Sequence, residues 1–350
     1  MLLYLRFIAF IVCHFAFPMK NQDSRRSADT NGLVKSFSIV ATCLAVCAPL
    51  AARAVTLAEF FGPPAASEVI AYGTEPEQTM VRFAPAGLKP GEARPAIVLV
   101  HGGAWVGGGA DVFYPHARYF ASRGMVAFSV NYRLIKPGGP GMRECADDCR
   151  AALKYIHRHA ADLGVNSGRI AVMGDSAGGH LAAVLGTIPG DGPRPAAMVL
   201  CNPIVDLTDP KWIPYAMGGA ALEKKASPEA KIPTSGQTEF AKSLSPQFHV
   251  SPDLPPTLIL HGTEDHVVAG EQVRRFAEAM TGAGNRCEVV LIEGARHAFI
   301  VPKYTAPEPL LVGALRRADA FLSSLGLLNG EPALEVSSPP AWEVPAKKNP

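Results

Sequence analysis

From Glu68 to Leu325 short apolar runs alternate with stretches in which apolar residues recur at three- and four-residue spacing. The runs at 69–72, 79–84, 96–100, 126–131, 170–173, 197–201, 257–260 and 288–292 predict strands. Several are continuously apolar, as in Ala-Ile-Val-Leu-Val at 96–100. A strand of that kind is covered on both faces, which is the condition of a parallel sheet. The intervening pattern predicts helices over 114–123, 143–163, 177–187, 270–283 and 309–325. In the second of these Ala151, Ala152, Tyr155 and Ile156 share one face. Alternation of strand and helix predicts an α/β domain with a mainly parallel sheet of eight strands and helices on both faces.

Two segments break the rhythm. Residues 208–245 carry Pro, Gly and Lys with little periodicity, so a lid or substrate-shaping insertion and a solvated surface loop are both open there. Residues 329–350 end in Ser-Ser-Pro-Pro-Ala-Trp-Glu-Val-Pro-Ala-Lys-Lys-Asn-Pro and predict a disordered tail.

Charge separates the N-terminus from the rest. Residues 1–54 hold six Lys/Arg and two Asp/Glu, leaving 27 basic and 29 acidic residues in a nearly neutral remainder. Arg25, Arg26 and Lys35 precede an apolar run at 37–50, and Ala52-Arg53-Ala54 follows. This basic–apolar–small order predicts a leader over 1–54, cleaved near Ala54, and a secreted or periplasmic catalytic domain over 55–328 with no stable membrane span. The further apolar run at 1–17 leaves an N-terminal membrane anchor as the alternative, or translation starting at Met19. No long basic run invites a nucleic-acid partner. Three of the seven cysteines lie in the leader; Cys145 and Cys149 sit four apart on a predicted helix, a strained spacing for a disulfide. No zinc-like Cys/His spacing occurs, and no cofactor is expected. Oligomeric state leaves no mark on the pattern.

Chemistry enters with Gly174-Asp175-Ser176-Ala177-Gly178, a G-x-S-x-G between a predicted strand and a predicted helix. A sharp turn there needs residues without Cβ clashes, and it pushes the serine hydroxyl out toward substrate. His101-Gly102-Gly103-Ala104-Trp105 follows the strand at 96–100. Acyl transfer builds charge on a carbonyl oxygen, so Gly103, Ala104 and Ala177 N–H groups are the expected oxyanion hole. A serine nucleophile needs a base and the base an orienting acid. His297, in the loop after 288–292, is the expected base; His157, His159 and His180 sit on predicted helices and His261 ends a strand. In the order nucleophile–acid–histidine the acid falls in His261-Gly262-Thr263-Glu264-Asp265, where Asp265 is preferred, Glu264 is its solvated neighbour and Asp206 is an alternative from an earlier strand.

These three segments, with Gly179-His180-Leu181-Ala182 after the serine and Arg296-His297-Ala298-Phe299, resemble the α/β-hydrolase superfamily, in particular bacterial acetyl esterases of the hormone-sensitive-lipase-like branch. Leu244-Ser245-Pro246 and Pro255-Pro256-Thr257-Leu258 extend the resemblance to secreted carbohydrate esterases, of the acetylxylan and feruloyl type. The resemblance implies the α/β-hydrolase fold and hydrolysis of short-chain esters, small or polysaccharide-borne, through Ser176, His297 and Asp265. Ala104 departs from the third glycine many lipases carry, and only residues 55–64 remain for a cap before the first strand. A prolyl-oligopeptidase-like peptidase, an amidase resembling kynurenine formamidase and a non-catalytic hydrolase-fold module are the competing readings.

Overall fold

Alternating strand residues sort into two apolar layers, one on each side of a single sheet. Ala96, Val98 and Val100 belong to one buried cluster, and Ile97 and Leu99 to the other. Pleating sends successive side chains to opposite faces, so a run of five apolar residues feeds both cores. The computed structural model describes Phe60 and residues 67–218, 233–302, 304 and 308–334. The predicted leader lies outside the described residues, as does most of the short cap.

The eight strands are β1 (Glu68–Ala71), β2 (Thr79–Phe83), β3 (Arg94–Val100), β4 (Val126–Val130), β5 (Val165–Asp175), β6 (Ala197–Cys201), β7 (Thr257–Gly262) and β8 (Cys287–Ile292). Their order is β1-β2-β4-β3-β5-β6-β7-β8. β1 and β2 pair antiparallel, as do β2 and β4; every other pair is parallel. The helices are α1 (Tyr114–Ser122), α2 (Met142–Arg158), α3 (Ala177–Thr187), α4 (Ile213–Met217), α5 (Ser235–Ser243), α6 (Gly270–Gly282) and α7 (Glu308–Ser324). Apolar residues of α2, α3 and α6 pack into one cluster and those of α1 and α7 into the other. Each large side chain fully removed from water, such as Phe276 or Phe120, contributes about 1.5–3 kcal/mol. All of α3 is buried, which explains its run of Ala, Gly and Leu.

Register aligns the carboxyl ends of the central strands. Val100 pairs with Gly174, Asp175 with Cys201, and Gly262 with Ile292. Loops leaving β3, β5, β6, β7 and β8 therefore start near one level, and such a crevice is where open α/β sheets bind ligands.

Two expectations change. Residues 208–245 are not aperiodic throughout: they contain α4 and α5, with 219–232 outside the described residues. α5 opens on a capping box, Thr234 with Gln237. The tail predicted from Asn329 is held as far as Leu334, which is buried and whose carbonyl accepts from Arg316 at 2.7 Å. Arg123 likewise donates to the Gly330 carbonyl at 3.1 Å. Cys145 and Cys149 are free, buried thiols, and Cys145 Sγ donates to the Arg133 and Gly141 carbonyls. Among the described residues no helix is long and apolar enough to cross a membrane.

Candidate active site

β5 runs into α3 through one residue. Ser176 has φ 55° and ψ −119°, a conformation that costs an ordinary residue on the order of 1–3 kcal/mol. Two backbone bonds hold it: Ser176 N–H donates to the Cys201 carbonyl and His180 N–H to the Ser176 carbonyl, both at 2.9 Å. Gly178 makes the turn possible, because a Cβ there would stand 2.0 Å from the Val100 carbonyl oxygen. The hydroxyl of Ser176 is thus presented at the end of the sheet, on a side chain otherwise buried.

His297 reaches that hydroxyl from the loop after β8. Its Nε2 lies 2.8 Å from Ser176 Oγ, and its Nδ1 lies 2.8 Å from Asp265 Oδ2. An ionised carboxylate only accepts, so Nδ1 carries the proton and Nε2 is the free base. Asp265 Oδ1 accepts from Val267 and Val268 N–H at 2.8 and 2.9 Å. Burial alone would raise the Asp265 pKa, but the bonds from His297, Val268 and Val267 outweigh it and hold the carboxyl below its usual range. The two loops are also tied to each other: Glu264 N–H donates to the Ala295 carbonyl at 3.0 Å and Gly294 N–H to Thr263 Oγ1 at 2.9 Å.

The turn after β3 supplies the third element. Gly103, Ala104 and Trp105 have φ of 116°, 52° and 60° in succession. The two non-glycine residues each cost about 1–2 kcal/mol in that region. Gly103 leaves room where a Cβ would meet the Gly107 carbonyl oxygen at 2.2 Å. Val106 and Gly107 N–H both donate to the Gly103 carbonyl, at 3.1 and 3.0 Å. Gly103 and Ala104 line a cavity together with Ser176 and His297. Ala177 is the first residue of α3, where backbone N–H groups have no partner within the helix and the dipole favours an anion.

That cavity has a volume of about 680 Å³. Its walls include Ile204, Trp212, Tyr215, Val267, Val301 and Tyr304. Trp212 and Tyr215 come from the first part of the predicted insertion, so that part shapes the cavity. Lys211 Nζ donates to the Val267 carbonyl at 3.1 Å and stands 5.1 Å from the Trp212 ring. Trp105 lies behind the cavity, fully buried, with its ring 6.0 Å from Trp212 and 5.7 Å from Tyr215.

The remaining candidates fall elsewhere. Glu264 is solvated and 3.8 Å from the exposed His266. Asp206 caps its own turn, accepting from Thr208 N–H at 2.9 Å, and faces Arg275 at 3.6 Å. His101 stacks on Tyr132 at 4.4 Å with its pKa lowered by burial, and His261 is buried with the same shift for the same reason. His157 is exposed. Asp175 is a residue the motif contains but its pattern does not explain. It is among the residues that line the cavity yet is itself buried, and burial raises its pKa to about 7. Its Oδ1 receives a 3.4 Å bond from Asn202 Nδ2, while Asn202 Oδ1 accepts from Gly262 N–H at 3.3 Å. Among the described residues no His/Cys/Asp/Glu group is arranged to hold a metal.

Residues 85–280 match the BD-FAE family. Carboxylesterase NlhH of Mycobacterium tuberculosis is 32% identical over 243 residues, spanning 64% of this chain and 74% of that protein. Among solved structures, Thermogutta terrifontis esterase 2 with propionate bound superposes with a TM-score of 0.64 at 34% identity, covering 76% of this chain and 96% of that one. The same esterase phosphorylated by paraoxon gives a TM-score of 0.63 at 34% identity over the same shares.

Proposed function

Because the chain belongs to the BD-FAE family and is a serine hydrolase of the α/β-hydrolase superfamily that cleaves carboxylic esters, we propose that Ser176, His297 and Asp265 are its catalytic triad and that it removes short acyl groups from carbohydrate alcohols. One observation carries the triad: a hydrogen-bonded line from Ser176 Oγ through His297 to Asp265, both links 2.8 Å, opening into a cavity beside Gly103 and Ala104.

His297 Nε2 takes the Ser176 proton as Oγ attacks the ester carbonyl. The negative charge on the former carbonyl oxygen is received by the N–H groups of Gly103, Ala104 and Ala177, worth about 10²–10³ in turnover for each donor. His297, now a cation steadied by Asp265, gives its proton to the departing alcohol. Water then repeats the sequence on the acyl-enzyme and returns Ser176 free. Binding of propionate by the Thermogutta esterase supports a short acyl group, and its reaction with paraoxon supports a nucleophile of this kind. The carbohydrate alcohol rests on the likeness of Leu244-Ser245-Pro246 and its neighbours to secreted carbohydrate esterases. Export, by way of the leader at 1–54, fits a polymeric substrate outside the cytosol.

Initial rates on acetyl, butyryl and feruloyl esters and on acetylated xylan test this reading. Acetyl release from xylan, lost in Ser176→Ala, is the expected result. Activity confined to simple esters would remove the carbohydrate, and activity surviving in the variant would remove the triad.

A further inference from the structure

His180 is one turn along α3 from the nucleophile, fully buried, and the triad does not use it. Trp105 Nε1–H donates to its Nδ1 at 3.2 Å, and its Nε2 lies 2.8 Å from the Leu244 carbonyl oxygen. An indole nitrogen only donates and a carbonyl only accepts, so His180 is held as the neutral Nε2–H tautomer. The ring is edge-on to Trp105 at 5.3 Å. One side chain thus joins three segments: the turn after β3, the nucleophile helix, and the start of the segment that follows α5. That last segment is itself fastened, since Leu207 N–H donates to Ser245 Oγ at 2.8 Å.

Ala104 and Trp105 have left-handed backbones that neither residue favours alone, so the turn depends on what grips it. Its backbone grips are the 2.8 Å bond from Ile135 N–H to the Trp105 carbonyl and the local bonds to Gly103. Two side chains add polar anchors: the Tyr132 hydroxyl donates to the His101 carbonyl at 2.9 Å where the turn begins, and Trp105, at the left-handed residues themselves, ends on His180. We infer that His180 is a positioning residue for the oxyanion hole, fixing the Gly103 and Ala104 N–H groups relative to Ser176 through Trp105. This rests on the proposed triad and oxyanion roles. Burial lowers the His180 pKa to about 4, which keeps Nδ1 free to accept from Trp105 in neutral solution.

The bond acts only on where the N–H groups point, so its loss is felt in the transition state. His180→Phe is expected to lower kcat at least about tenfold with KM within about threefold, part of what one lost donor costs. His180→Asn places an amide oxygen on Cγ, where Nδ1 now stands, and is expected to recover most of kcat without reaching Leu244. Trp105→Phe deletes the donor from the other side; it is expected to lower kcat likewise and to add little more when combined with His180→Phe. The acid limb of the kcat/KM profile stays in place in all three, because His297 is untouched. Ser176→Ala is measured alongside on the same acetyl ester. An inactive Ser176→Ala with His180→Phe and Trp105→Phe both near wild-type kcat overturns this inference and leaves the triad standing. So does a His180→Asn no better than His180→Phe, the result expected if His180 serves packing alone. An active Ser176→Ala overturns the triad itself. Should His180→Phe not fold, Trp105→Phe and His180→Asn decide the matter.

Discussion

Replacing Asp265 by Asn tests the electrostatics and the proton position of the proposed triad in one substitution. Val267 and Val268 N–H both donate to Oδ1, and an amide can offer them only its oxygen. The amide nitrogen is therefore turned to His297, where Oδ2 now accepts at 2.8 Å. Two donors cannot face each other, so the imidazole moves its proton to Nε2 and presents N–H to Ser176 Oγ instead of a lone pair. The general base is then absent from the dominant tautomer. A second loss adds to this. Carboxylate and imidazolium charges about 4 Å apart attract by about 4 kcal/mol at an effective dielectric near 20, roughly a factor of 10³ in rate if the cation forms only in the transition state. Together with the wrong tautomer the expected fall in kcat is about 10⁴. KM should hold, because the Asp265 side chain is fully buried and does not line the cavity. Steady-state rates on an acetyl ester, with circular dichroism to confirm folding, decide it. A folded variant with less than about a tenfold loss in kcat would refute the reasoning.

Three further outcomes follow from other contacts. Asp175 keeps its proton to about pH 7 in the folded protein against 3.8 as an ordinary carboxyl. The folded state therefore binds the extra proton between those values, and its stability falls as pH rises through that window, by on the order of 4 kcal/mol. Asp175→Asn should remove this slope, so its Tm should gain on wild type from pH 4 to pH 8; a constant difference would exclude the shift. Asp319→Ala strands Arg123, whose side chain is buried against it at 2.6 Å, and should cost about 3–5 kcal/mol. A denaturant midpoint unchanged from wild type would show the pair to be dispensable. Gly178→Ala sets a Cβ against the Val100 carbonyl with only backbone to yield, so it should destabilise by about 3 kcal/mol or more and abolish turnover. An active, equally stable variant would contradict the tight turn.

The strands were legible because buried parallel strands are continuous apolar runs, and each motif stood at a strand end where its register could be read. β5 begins before its apolar run: after Val165 come Asn166, Ser167, Gly168 and Arg169, none of them buried, so no apolar pattern marks its start. α5 had a readable signal in Thr234 and Gln237, masked by the weak apolar face of a nine-residue helix. The hold on the chain to Leu334 depends on one buried side chain and on bonds from Arg123, just after α1, and from Arg316 and Ser323 on α7, which no local pattern announces. Motif and order along the chain point to Ser176, His297 and Asp265. The partnership of His180 with Trp105 spans 75 residues and turns on side-chain direction, which neither composition nor period carries. Asp175 was hidden differently: a carboxylate in a motif reads as solvated until its burial is seen.

Ser176 is the proposed nucleophile. Mass spectrometry of the protein after treatment with paraoxon tests it most directly, since the reagent leaves a diethylphosphoryl group on the attacking oxygen. One modified peptide is expected, with the group on Ser176, together with complete loss of both labelling and ester hydrolysis in Ser176→Ala. A label on another residue, or a Ser176→Ala protein that still turns over acetyl esters, would contradict it.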